Sequence, residues 1–294
     1  MSESPLVTVI CLSYNHEKYV IEALNSISKQ NYDAIEIIIV DDASTDNTAS
    51  LIKKWTINNS AIFIQNKNNL GNTKSFNNAL KLAKGNFIVD FAADDILLPD
   101  FIKSGVETFA SSSHKNLGVV FSNLEFINDQ GGHIKYMYPI TKTGHAKKKP
   151  YTGNVYKHLL YGYFISAPSM LIKKDVFNKL EGYDENLLYE DLDFWFRSSR
   201  LFNYDYTDKV LVKKRILKNS LSSNFYKKSG VSLEKSTYIS CQKAFKLNKN
   251  SEEYKALINR IGYELRLAIK NKNAIALFQF LYLLLKIKSK IIFK

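Results

Sequence analysis

Apolar positions along the first hundred residues follow two alternating rhythms. Val7 to Ser13 is a short β-branched run that predicts a strand, and Tyr19 to Gln30 places Val20, Leu24 and Ile27 at helical spacing. Ile35 to Val40 is a second continuous apolar run, the kind expected of a parallel strand buried on both faces. Ser44 predicts the N-cap of a helix reaching about Trp55, followed by a strand over Ala61 to Gln65. Asn72 to Lys84 reads as a helix closed by Gly85, and Asn86 to Phe91 as a fourth strand. Strand and helix in alternation predict a doubly wound, mostly parallel α/β layer, whose ligands bind at the carboxyl ends of the strands.

Beyond Pro99, which is placed to open a helix, the pattern loosens. Leu117 to Ile127 and His133 to Tyr138 read as strands around a turn at Asp129 to Gly132. Thr141 to Tyr151, with Lys147, Lys148 and Lys149, predicts a solvated loop or a lid. Ser169 to Lys173 is another short strand, and Tyr189 to Leu201 a helix with acids first and bases last. From Tyr254 the pattern is helical. Ala274 to Leu285 is apolar almost all round, with Lys270 and Lys272 before it and Lys286, Lys288 and Lys290 after it.

Composition excludes two classes. With 45% hydrophobic residues and 12 glycines in 294 residues the chain is not a disordered one, and two cysteines, Cys11 and Cys241, do not make a disulfide scaffold. Scarce cysteine and a polar Met1 to Pro5 predict a cytoplasmic protein. The formal net charge of +13 is unevenly placed: residues 201–294 carry +14, the first 200 carry −1. A basic tail on a neutral body argues against a nucleic-acid binder and points to an anionic surface met by one end.

The chemistry is carried by acids. Asp41 and Asp42 end the second predicted strand, and Asp94 and Asp95 follow the fourth, so both pairs project from one carboxyl edge. No GxGxxG or P-loop follows any strand, so acids facing a diphosphate would repel it unless a divalent cation, Mn²⁺ or Mg²⁺, bridged them. A single acidic pair more often caps a turn; two on one edge favour function. Glu190, Asp191 and Asp193 open a later helix, where Asp193 is spaced to pair with Arg197 and a carboxylate at the helix N-terminus would stay ionised as a general base.

Three ordered blocks resemble the inverting family 2 glycosyltransferases of GT-A fold, bacterial surface-polysaccharide type: PLVTVICLSYNHEKYVIEALNSISKQNYDAIEIIIVDDASTDNT, NLGNTKSFNNALKLAKGNFIVDFAADD and SAPSMLIKKDVFNKLEGYDENLLYEDLDFWFR. The resemblance spans Pro5 to Ser222. It implies a nucleotide-binding half over 1–98, an acceptor-side half over 99–222 and a basic helical region over 223–294. It implies that Asp42 bonds the nucleobase with Asp41 as support or alternative, and that the backbone of Leu12, Ser13 and Tyr14 lines the base. Asp94 would contact the sugar nucleotide and Asp95 the metal, Asp94 sharing it, while Asp191 would be the catalytic base with Glu190 beside it. Asn77 and Arg215 match positions on the nucleotide-sugar side. Two positions depart: Phe76 stands where many relatives carry Arg, with Lys74 as a substitute charge, and Leu217 stands where many carry His. At Leu217 either carboxylate, phosphates and water complete the metal site or another residue does.

The expected reaction is metal-dependent inverting transfer from a nucleotide sugar, a UDP-sugar first, to a hydroxyl of a glycan or lipid-linked acceptor in surface polysaccharide synthesis, by a hexosyl- or N-acetylhexosaminyltransferase. Alternatives are a sugar nucleotidyltransferase and a polyanion binder. For the tail, an anionic membrane surface on the inner face of the cell membrane stands beside packing on the catalytic domain or a second copy of the chain. At about a dozen residues the apolar run is too short for the roughly 20 that span a bilayer.

Overall fold

The structure, a computed structural model, describes residues 4–217 and 231–292. The expected boundary at 222/223 lies outside the described residues. The chain divides into two compact units, the first drawn from Met1–Gly153, Ile165–Tyr183 and Asn203–Ile216.

The first unit is built on one nine-stranded sheet. β1 (Val7–Ser13), β2 (Ile35–Asp41), β3 (Ile62–Gln65) and β4 (Phe87–Ala92) lie in the parallel order β3-β2-β1-β4. β1 is buried at every position because it has a parallel neighbour on each side and helices over its faces. β5 (Ile96–Leu97), β6 (Leu117–Ile127), β7 (His133–Tyr136), β8 (Met170–Lys173) and β9 (Asn203–Arg215) extend the sheet. β8 joins β4 to β6 antiparallel, β9 runs parallel to β6, and β5 and β7 add antiparallel edges. Helices α1 (Val20–Ser28), α2 (Thr48–Thr56), α3 (Asn72–Leu80) and α4 (Phe101–Ser111) belong to this unit. Val20, Leu24 and Ile27 of α1 are buried in the core with Val9, Ile39 and Phe91, as their spacing predicts.

Two local expectations are corrected. Ser44 is no helix cap: its hydroxyl bonds Asp41, and α2 starts later with Asn47 as N-cap. Gly85 does not close α3, which ends at Leu80; it is needed because a Cβ there would lie 2.6 Å from the backbone nitrogen of Thr8. The 141–151 loop is mostly exposed, as a solvated loop should be, and is pinned at Ala146. Ile140 bridges Ala146, and the Ala146 N–H donates to Asp208 of β9 at 2.8 Å.

The second unit gathers Asn154–Phe164, Asp184–Phe202 and the described residues from Leu217 onward. It is helical: α5 (Tyr156–Tyr161), α7 (Glu190–Leu201), α8 (Val231–Leu247), α9 (Ser251–Lys270) and α10 (Ala274–Ile292), with α6 (Lys174–Leu180) belonging to the first unit. The predicted Asp193–Arg197 pair forms at 2.6 Å. Asp193 is fully buried and also meets Lys243 at 2.8 Å, and the same ammonium reaches Asp184 at 2.6 Å. Arg200 stacks 3.6 Å over the Tyr156 ring and pairs with Glu253 at 2.7 Å. Among the described residues no helix is long and apolar enough to cross a membrane.

Candidate functional site

Parallel strands direct their carboxyl ends to one edge, and here that edge carries two interlocked loops. After β1 the chain runs through Tyr14 to Tyr19, and after β2 through Asp42 to Asn47. Asn15 accepts the Thr45 N–H at 2.8 Å and donates its own N–H to Ser44 Oγ at 2.9 Å. His16 donates its N–H to Thr48 Oγ1 at 2.8 Å, and Glu17 accepts from both Asn47 nitrogens. The polar run ASTDNT is thus explained by what it holds. Asn15 and Ala43 both have positive φ, 56° and 61°. For Ala43 that conformation is strained, the sort of position that clusters at working sites. Tyr14, exposed, is carried on this platform.

Asp41 and Asp42 fold this edge. Asp41 is fully buried and accepts the Ser44 N–H at 3.1 Å. Asp42 takes four donors: Asn66 Nδ2 at 2.8 Å, Ser75 Oγ at 2.9 Å, and the N–H groups of Leu70 and Gly71 at 2.9 and 2.8 Å. Three of the four fall on Oδ1 and one, the Gly71 N–H, on Oδ2, so Asp42 anchors the loop ahead of α3 and keeps acceptor capacity on Oδ2. Beside it an open cleft is lined by Ala43, Ser44, Gln65, Asn66 and Lys67.

Asp94 and Asp95 reach the same edge from the turn after β4, and their environments differ. Asp95 is 3% exposed and accepts the Arg215 N–H at 2.8 Å. Burial first, then the charge of Asp94, pushes its carboxyl up to about 8 against the pull of Lys214 and Arg215. Asp94 keeps 13% of its side chain exposed, with Oδ2 4.0 Å from Nε2 of His16. Asp94 is the more exposed of the two acids.

Arg215, on β9, binds this turn through its guanidinium. Nε donates to the Asp94 carbonyl at 2.9 Å, Nη1 to the carbonyls of Asn128 and Asp129, and Nη2 to Glu22 at 2.6 Å, while the group stacks 4.7 Å over Tyr19. Four of the five N–H donors of the guanidinium meet protein acceptors, which ties Arg215 to the acidic turn. Asn77 is likewise engaged: its amide donates to the Tyr183 carbonyl at 2.9 Å and accepts the Tyr183 N–H at 3.0 Å. Phe76 is buried against Phe177 and Tyr183, and Lys74 is exposed on α3.

Glu190 and Asp191 belong to the second unit, half-buried in the first turn of α7. Leu217 is half-buried at the end of the described stretch that follows β9.

Sequence reasoning did not single out His16. Its Nδ1 is buried and without a hydrogen-bond partner among the described residues, and its Nε2 faces Asp94. Only the loop interlock reveals this, since a histidine in a polar run carries no periodic signal. For a divalent cation the donors fit in kind: a carboxylate at a strand end suits hard ions that keep water and phosphate oxygens as further ligands. No cluster of three or more His, Cys, Asp or Glu forms a closed cage among the described residues.

Comparison with known proteins bears on the family and the fold. The family described as "Glycosyl transferase family 2" matches residues 8–180. An uncharacterized glycosyltransferase of Methanocaldococcus jannaschii is 31% identical over 219 residues, 73% of this chain and 72% of that protein. One of Haemophilus influenzae is 33% identical over 228 residues, covering 76% and 69%. Among solved structures, S. aureus TarS 1-349 in complex with UDP-GlcNAc superposes with a TM-score of 0.70 at 19% identity, over 89% of this chain and 73% of that one. Mannosyltransferase PcManGT from Pyrobaculum calidifontis, in complex with GDP-Man and Mn²⁺, gives 0.64 at 17% identity, over 96% and 74%. At those identities the structural likeness shows the fold.

Proposed function

Because the chain belongs to glycosyltransferase family 2 and has the GT-A fold, we propose that this glycosyltransferase moves a sugar from a nucleotide-sugar donor, a UDP-sugar first, to a hydroxyl of a glycan or lipid-linked acceptor by a single inverting displacement. Family membership sets aside the sugar-nucleotidyltransferase and polyanion-binder alternatives. The observation that carries the reading is the acidic edge itself: two interlocked loops at the carboxyl ends of parallel strands, with Asp94 partly exposed beside His16.

The exposed Tyr14 ring and the backbone of Leu12 and Ser13 would receive the nucleobase, on a platform that Asp41 and Asp42 hold in shape. Lys74, exposed on α3, supplies positive charge on the phosphate side. Asp94 would hold Mn²⁺ or Mg²⁺, with Asp95 and Arg215 fixing the turn behind it. When bound, the cation neutralises charge gathering on the departing diphosphate. The groups bound in the TarS and PcManGT structures, UDP-GlcNAc and GDP-Man with Mn²⁺, support a nucleotide sugar and a divalent ion here.

Asp191 would take the proton from the acceptor hydroxyl. Its place in the first turn of α7 supports this, since the helix N-terminus favours the ionised carboxylate a base requires. Glu190 would stand beside it. The position-by-position resemblance supports the same two residues, and a role in surface polysaccharide synthesis belongs to this reading.

A screen of UDP-, GDP- and dTDP-sugars for nucleotide release, with and without Mn²⁺, tests the proposal. Metal-dependent release from one donor is expected. Release that ignores metal, or no nucleotide binding at all, overturns it.

A further inference from the structure

Helix α10 has two apolar faces, and the second unit uses one of them. Ala276, Phe280, Leu283 and Ile287 recur at helical spacing and are buried, the Phe280 ring 5.5 Å from Tyr238 of α8. The other face is Ile275, Phe278, Tyr282 and Leu285, at 66%, 70%, 54% and 66% exposure, with Leu281 beside them. At 3.6 residues per turn these five side chains fill an arc of roughly 120°. Scattered exposed hydrophobic residues need no explanation, but a continuous stripe along a helix does.

The charges around the stripe say what would cover it. On the same helical wheel Lys286 and Lys290 fall on one margin of the arc and Lys288 on the other, and all three are exposed. The Lys286 ammonium lies 4.5 Å from the Tyr282 ring centroid, so its stem follows the apolar face and its charge stands at the edge. From Asn271 to the last residue the sequence holds no Asp or Glu. A second copy docked through this face would bring lysine against lysine with no acid to pair them. A lipid surface reverses that balance: acyl chains accept the stripe while phosphate headgroups meet both lysine margins.

We propose that the outer face of α10 is a docking surface for an anionic lipid bilayer, along which the helix lies in the interface plane. The helix does not meet the requirement for crossing a membrane. Binding by such a face draws on buried apolar area and on headgroup attraction together, so each contribution has its own variant.

Flotation of the full chain with phosphatidylcholine vesicles, with and without phosphatidylglycerol, tests this. The parent is expected to float with the mixed vesicles, less so in high salt, and to stay behind with phosphatidylcholine alone. Replacing Lys286, Lys288 and Lys290 by Gln should weaken binding by on the order of 100-fold, about fivefold per lysine. Phe278→Glu with Leu285→Glu should abolish it at an unchanged melting temperature, since both side chains are exposed. Three results overturn the proposal: no binding to the mixed vesicles at low salt, equal flotation of the Glu variant, or a concentration-dependent dimer of the parent that the Glu variant loses, which would make a second copy the occupant.

Discussion

Asn77 gives the sharpest test of the difference between resemblance and geometry. Matched to its family position it belongs to the nucleotide-sugar side, yet its amide spans the backbone of Tyr183, 106 positions along the chain, at 2.9 and 3.0 Å. Tyr183 is a knot of its own. Its ring packs 4.7 Å from Phe76 and 5.4 Å from Phe177, and its hydroxyl donates to Asp90 at 2.9 Å. The approach is close, because a Cβ on Gly182 would lie 2.5 Å from Asn77 Oδ1. Asn77→Ala leaves a buried N–H and a buried C=O without these partners, each costing about 1–3 kcal/mol, so about 2–6 kcal/mol together. At roughly 2 °C per kcal/mol in a chain of this size, the melting temperature should fall by about 4–12 °C. Asn77→Asp should be no better, since it loses the donor and sets a carboxylate oxygen against the Tyr183 carbonyl. Thermal melts followed by circular dichroism, with UDP and Mn²⁺ titrated calorimetrically below the transition, separate the two roles. Lowered stability with near-parental UDP affinity is expected. An unchanged melt with UDP affinity lost would refute the reasoning and return Asn77 to the ligand.

Three further outcomes are expected. Asp191→Asn should lose roughly a hundredfold to ten-thousandfold in transfer rate while keeping donor affinity, and a fully active variant sinks the base assignment. Asp94→Ala should lose about tenfold or more of metal-dependent UDP affinity, whereas Asp95→Asn should keep it, because an amide oxygen still accepts the Arg215 N–H; the opposite order, read by the same titration, would make Asp95 the ligand. Burial alone would raise the Asp184 carboxyl, but hydrogen bonds from Lys243 and Asn186 outweigh it and hold it below its ordinary value. Its contribution is present above the ordinary carboxylate range and lost as pH falls through the lowered folded value. Lys243→Met should therefore move the acid-unfolding midpoint to higher pH, and a midpoint that stays or falls contradicts the pairing.

The parallel half of the sheet was legible because its signal is local. β1, β2 and β4 are buried along most of their length, so their apolar runs announce them, while β3 at the sheet edge is only partly covered; the two acidic pairs fall on one edge from position alone. β9 was not legible. Its thirteen residues, NYDYTDKVLVKKR, carry Asp and Lys among the apolar positions, and its strand character comes from pairing with β6 and β5, far away in sequence. The same non-locality explains the site. The Asp95 carboxylate is held by the Arg215 N–H, 120 residues on, and the Asp42 carboxylate by the N–H groups of the loop before α3. Ser44 misled as a cap because its hydroxyl finds Asp41 first, three residues back, before any helix begins.

Arg215 also bears on how such an enzyme can be recombined. The stretch that matches the family ends at residue 180, while the guanidinium that grips the Asp94 carbonyl, and the N–H that holds the Asp95 carboxylate, lie beyond it. A chimera exchanging only the matching stretch between relatives would inherit an acidic turn without the clasp fitted to it. The acidic turn and its clasp are thus two separate pieces of chain, and a graft meant to move the turn intact should carry β9 together with it.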